Sequence, residues 1–223
     1  TNEGLSAKVD YTLGSVQLTS ITAHRKWKNT QFQELDRLST VYRQFPQQAD
    51  RGDLDFTQTS QELRIASTQK QFLEYVAGLF WFEGKNDERY QRDVTRCNGT
   101  TDTALPSGLI PCSAGSLTVD NGVANYGVRN TSKAVFGEGT LNFSPSLRAI
   151  AGLRYTQDDL SYYHGRVASA TGVPGVAASR ARVEGSTNEN AVSGRFGPQF
   201  DISKDVMVYG TYSRGYKGPA YNV

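Results

Sequence analysis

The sequence is poor in what most functional classes require. It has no run of about 18 apolar residues, so no segment is long enough to cross a bilayer as a helix. It holds 2 His, 2 Cys and 1 Met in 223 residues. No Ser-His-Asp order, His-x-x-x-His pair, phosphate-cradling loop or dinucleotide fingerprint occurs. Catalysis, a cofactor and a resident metal are therefore not expected. The net charge is +2 with both signs scattered along the chain, whereas a nucleic-acid face needs clustered Lys and Arg. The opening stretch TNEGLSAKVDYTL has no charged region followed by an apolar core. The chain therefore reads as cytosolic, mature, or a piece of something longer.

What the sequence does have is 11% aromatics, 22 Gly and a mean hydropathy of −0.52. Plentiful Tyr, Phe, Thr, Ser and Gly favour strands over helices. The expected fold is all-β, an antiparallel up-and-down meander of about eight strands. Alternation places them at 5–13, 15–27, 56–67, 71–84, 132–143, 147–160, 188–201 and 206–216. Tight turns are expected at Gly14-Ser15, Thr68-Gln69-Lys70, Ser144-Pro145-Ser146 and Ser203-Lys204-Asp205. The links 28–55, 85–131 and 161–187 are long and polar. Tight and long links alternate, so one end of the sheet is trimmed and the other carries elaborate loops. That is the asymmetry of a transmembrane barrel, with short periplasmic turns and long outer loops.

Charge parity assigns the faces, because Lys or Arg facing lipid at mid-membrane costs about 2–4 kcal/mol. Lys8, Asp10, Glu62, Arg64, Glu138, Arg154, Arg195 and Asp201 then share an inner face. Leu5, Val9, Leu63, Ile65, Val135, Leu153 and Phe196 face outward. A dry core does not accept so many charges, since each buried ion costs several kcal/mol. Tyr11, Trp27, Phe56, Phe143, Tyr155, Phe200 and Tyr209 are expected to form interfacial girdles. Parity is undecided in strands two, four and eight, and Pro198 suggests a bulge. A sandwich with polar outer faces would give the same alternation.

The stretches TSQELRIAS, YVAGLFWFEG, AVFGEGTLNFSPSLRAIAGLRYTQDD and VSGRFGPQFDISKDVMVYGTYSRGYKGPAYNV closely resemble the β-barrel of TonB-dependent outer-membrane receptors. The resemblance covers nearly every strand from residue 5 onward. It implies a Gram-negative outer-membrane barrel of about 22 strands with a plugged lumen. It also implies import of a scarce nutrient such as a siderophore, cobalamin or glycan. The implied partners are outer-membrane lipid, an iron-chelate or other small-molecule substrate, and the TonB energy-coupling complex acting through a plug. Signal peptide, coupling box, plug domain and closing strands are missing, so residues 1–223 are expected to be an internal barrel segment. A passive porin, a small closed barrel and a β-sandwich binding module are the alternatives.

Candidate ligand contacts are Arg64, Arg154 and Arg195 on the inner face, and Tyr162, Tyr163 and His164 where an outer loop opens. The arginines can bind an anion through charge-assisted bonds. Pairing with Glu62, Glu138 and Asp201, or with the plug, is the favoured expectation for these three. His24 reads as a rim residue. Asp50-Arg-Gly-Asp53-Leu-Asp55 offers oxygen ligands for calcium, or is a solvated turn. Cys97 and Cys112 close a small polar loop and are expected to form a disulfide.

Overall fold

The computed structural model describes residues 1–68, 71–99, 103–113, 115–169 and 178–221. Its strands are β1 (Asn2–Leu13), β2 (Val16–Glu34), β3 (Gln47–Ser67), β4 (Leu73–Cys97), β5 (Leu117–Asn142), β6 (Leu147–Ala168), β7 (Arg180–Asp201), β8 (Met207–Tyr209) and β9 (Tyr212–Arg214). They form one sheet in the order β1 to β8, antiparallel throughout, with β9 also on β7. Among the described residues β1 and β8 do not pair, so the sheet is an open wall and not a small closed barrel or a two-sheet sandwich. No helix among them is long and apolar enough to cross a membrane.

Gly14 takes the positive φ (59°) that a two-residue hairpin turn demands. The turns around 143–146 and 202–206 form as expected. Of the expected turn Thr68-Gln69-Lys70, Gln69 and Lys70 lie outside the described residues. The long-loop end differs from expectation. Residues 28–34, 47–55, 85–97, 117–131, 161–168 and 180–187 are strand, and the links shrink to 35–46, 98–116 and 169–179. The cause is that alternation marks only the part of a strand that has lipid on one side. Farther out both faces meet water, the pattern lapses, and the ladder continues.

Register settles every face. Val9, Ser20, Leu63, Leu79, Val135, Tyr155 and Val192 form one cross-strand row. None of the described residues covers this side, where Leu5 is 79%, Leu153 68% and Val9 64% exposed. On β1, β4 and β6 five alternate outward positions are apolar: Leu5, Ala7, Val9, Tyr11 and Leu13, then Leu73, Tyr75, Ala77, Leu79 and Trp81, then Leu147, Ala149, Ala151, Leu153 and Tyr155. Tilted by about 40°, such a run makes a coat about 21 Å tall, close to the band of about 25 Å that a membrane barrel presents to lipid. The opposite face carries the charges, and it takes Val76, Phe80 and Phe82 of β4.

Three aromatic assignments fail on parity. Trp27 pairs with Asn2 and Phe56, and Phe56 with Asn86, placing both rings on the charged face. Tyr209 pairs with Gln199 and also faces inward. Pro198 makes no bulge, because β6 pairs straight through Ala149↔Pro198, and the register shift falls instead at His164/Arg166. The Pro198 carbonyl accepts from Gly210 N at 3.2 Å, so its missing donor is also turned toward the eighth strand. Losing that ladder bond opposite residues 210–211 divides the expected strand 206–216 into β8 and β9.

Candidate functional site

The charged face is a ladder of small networks. Near the tight-turn end Arg148 pairs with Asp201 at 2.5 Å. One level up, Arg195 holds both oxygens of Glu138 at 2.7 Å each. Arg64 bonds Glu62. Arg154 differs from these, since no carboxylate among the described residues reaches it. Its guanidinium lies 5.1 Å from the Phe80 ring centroid and 5.8 Å from that of Phe136, and its Nε donates to Thr156 Oγ1 at 3.1 Å. Charge, aromatic faces and a hydroxyl thus meet there, a combination that attracts an anionic or aromatic group.

Above this, the chain after β9 leaves the sheet and lies across the inner face of β6. Tyr216 hydrogen-bonds Asp158, and a Cβ at Gly218 would sit 2.8 Å from the Asp158 Oδ2. Tyr221 stacks on Tyr162 with centroids 3.5 Å apart, and its hydroxyl meets His164 Nδ1 at 2.9 Å. Thr156, Asp158 and Leu160 are buried in this part of the wall. Tyr162 also closes a row with Trp27, Phe56, Asn86 and Val128. The vestibule is therefore walled by aromatic rings from β2, β3 and β6. The sequence could have shown this, because the turn at Gly14-Ser15 fixes Trp27 opposite Asn2.

Toward the outer end Arg92 grips Asp50 through two 2.7 Å bonds beside Tyr90. Tyr126 donates to Glu88 at 2.7 Å. These groups stand beyond the apolar coat. Burial, aided by Asp50, pushes the Tyr90 phenol up to about 12. Burial and Glu88 do the same for Tyr126, to about 12. Hydrogen bonds from Arg92 hold Asp50 below the usual carboxylate range. Both phenols are neutral donors at neutral pH. Asn86 Oδ1, Asn130 Oδ1 and Arg166 Nε are buried on this wall without a partner among the described residues, a state costing about 1–3 kcal/mol each until something bonds them.

Of the six candidate contacts, Tyr162 and His164 converge, while Arg64 and Arg195 are held by carboxylates. Tyr163 faces the other way. It lies over Gly127, where a Cβ would be 2.6 Å from its ring, donates to Asp87 at 2.8 Å, and carries the Arg182 guanidinium 3.9 Å above it. Asp50, Asp53 and Asp55 sit on β3 with Asp50 on the opposite face from the others, so they do not gather as a calcium loop. Among the described residues no group of three or more His, Cys, Asp or Glu could hold a metal ion. His24 stands on the outer face and meets Thr59 at 2.9 Å.

The loops at this end form one unit. Cys97 and Cys112 are bonded, with Cα atoms 5.5 Å apart. Cys112 N donates to Val41 O and Arg43 N to Ile110 O, each at 3.0 Å, and Gln44 bridges Gly108 and Ile110. Val41 and Tyr42 are buried beneath this contact.

A one-layer antiparallel wall, apolar toward one side and charged toward the other, defines the class: a segment of an outer-membrane type β-barrel. The model of the TonB dependent receptor-like β-barrel family matches residues 1–223, and the chain belongs to that family. It is similar in structure to the ferric yersiniabactin uptake receptor FyuA of Yersinia pestis, with TM-score 0.69 and 14% identity over 94% of this chain and 27% of that one. It is also similar to the ferric-catecholate import receptor Fiu of E. coli K12 in its open form, with TM-score 0.55 and 14% identity over 95% of this chain and 35% of that one. The chain thus spans about a third or less of those receptors. No curated protein matches it.

Proposed function

We propose that this chain is barrel wall and outer loops of a Gram-negative outer-membrane receptor that imports an iron–siderophore chelate, driven by the TonB complex acting through a plug in the lumen. One observation carries the reading: the family match over the whole chain comes with an inner wall of aromatic rings and unpaired polar atoms at the loop end. The two receptors named above take up ferric chelates, which supports this class over cobalamin or glycans. Arg154, held between two rings, then offers the next anion-attracting station down the wall. Arg64, Arg195, Tyr162 and His164 remain part of this path, whereas Tyr163 supports the wall from behind.

The test is uptake of iron-55 delivered on catecholate, phenolate and hydroxamate chelators by cells carrying or lacking the full-length receptor, with and without TonB. Uptake of one chelate that needs both proteins supports the reading. Uptake that persists without TonB would establish a passive pore, and iron-independent growth with no chelate uptake would remove the siderophore class.

A further inference from the structure

One aromatic site on the inner wall is filled by the chain itself. Tyr162 of β6 pairs with Gly185 of β7, where a Cβ would come within 2.5 Å of the Tyr162 hydroxyl. The ring therefore lies over β7, in the space that a side chain would take, and turns one face to the lumen. His164, two residues on, points to the same side. Together they offer a flat face and a ring nitrogen, which suits a phenol. The phenol found there is Tyr221, its ring 13° from parallel at 3.5 Å and its hydroxyl 2.9 Å from His164 Nδ1.

The strap that carries Tyr221 is lightly held. Among the described residues no backbone hydrogen bond ties 215–221 to the wall. Its other anchors are the Tyr216–Asp158 bond and the close fit of Gly218 over Asp158. The β6 platform beneath is fixed on both edges by its ladders, so the strap opens more readily than the platform moves. We propose that Tyr162 and His164 form a binding site for a hydroxylated aryl ring of the cargo, and that Tyr221 is a built-in competitor which this ring displaces. The ligand class follows from the present occupant. A catechol or phenol reproduces both contacts of Tyr221, the stacked face and the hydroxyl at His164. A hydroxamate has no ring to stack. A strap shut about nine-tenths of the time weakens ring binding about tenfold.

The inference rests on the import reading above, and one set of titrations separates the two. Full-length receptor in lipid nanodiscs is titrated with the ferric complex of 2,3-dihydroxybenzoate, the ferric complex of acetohydroxamate, and iron-free 2,3-dihydroxybenzoate. Tyr221→Ala is expected to bind both ring-bearing probes about tenfold more tightly and the hydroxamate unchanged. Gly218→Val keeps Tyr221 but crowds Asp158 and lifts the strap, so it should shift ring binding in the same direction. Adding Tyr162→Ala to either variant should abolish the gain. Unchanged or weaker ring binding in both strap variants overturns the inference, as does an equal gain for the hydroxamate, which would make the strap a general obstruction. A gain for the iron-free ring while neither ferric complex binds would uphold the strap and overturn iron–chelate import.

Discussion

The lower and upper parts of β4 are one continuous strand governed by different rules. From Leu73 to Trp81 its outward residues are all apolar, and from Glu83 to Gln91 they are Glu, Lys, Asp, Arg and Gln. Pairing with β5 runs without a break from Leu73↔Leu141 to Cys97↔Leu117. The backbone does not register the change of solvent; only the side chains do. Alternation is therefore a property of the lipid contact, and sheet formation beyond it rests on ladder bonds and cross-strand pairs such as Glu83–Arg129 at 2.6 Å.

The largest expected effect tests that contrast directly. Leu153→Arg places a cation in the coat and should destabilise folding into bilayers by about 2–4 kcal/mol, whereas Ser161→Arg, four outward rows higher on the same face of β6, should cost about 0–1 kcal/mol. Urea titrations of the full-length receptor in lipid vesicles measure both. Equal costs would mean that the coat does not end where Tyr155 stands. Next comes replacement of Cys97 and Cys112 by Ser, which should release about 3 kcal/mol of loop constraint in the chain-entropy model. Because Cys112 bonds Val41, faster proteolysis is expected in 35–46 as well as in 98–116. Nicking confined to 98–116 would show that the loops do not act as one unit.

How much of this was legible depended on the same boundary. The hairpins, the lipid-facing residues of β1, β3, β5, β6 and β7, and the disulfide could all be read because lipid or covalent chemistry imposes a pattern. Trp27 and Phe56 were misplaced because an aromatic near a strand end looks like a girdle on either face. Only register separates the two cases, and it could have been counted from the Gly14 turn. The fold of residues 215–221 onto β6 left no periodic trace. Its one sequence signal was Gly218, which leaves room for Asp158. Arg154 was expected to pair like Arg64 and Arg195, but the position opposite it on β7 is Ser193, not an acid.

A smaller effect examines the upper wall by itself. Gly127→Ala would put a Cβ 2.6 Å from the Tyr163 ring and 2.8 Å from Asp87 Oδ1. Displacing the ring should cost about 1–3 kcal/mol, as overpacking does elsewhere. Adding Tyr163→Ala should recover part of that loss, since the two changes share one contact. Hydrogen-exchange protection of β5 and β6 gives the readout, and strict additivity would show that the ring is not what fills the space above Gly127.

The smallest expected effect is on pH dependence. The Asp50 carboxyl is held below its ordinary value in the folded wall by Arg92. A depressed carboxylate stabilises the fold at pH values above its unfolded pKa, near 3.9. That contribution is lost as pH falls through the lower folded value. Exchange protection at the outer ends of β3 and β4 should therefore be flat from neutral pH down to about 5 and decline below about 4. The pair is partly solvated, with side-chain exposures of 16% and 17%, so the amplitude should be about 1 kcal/mol or less. Asp50→Asn should remove the decline while leaving protection near Leu153 unchanged, because Leu153 lies in the apolar coat far along the sheet from the Asp50–Arg92 pair. A decline that survives in Asp50→Asn would show that the Asp50–Arg92 pair is not its source.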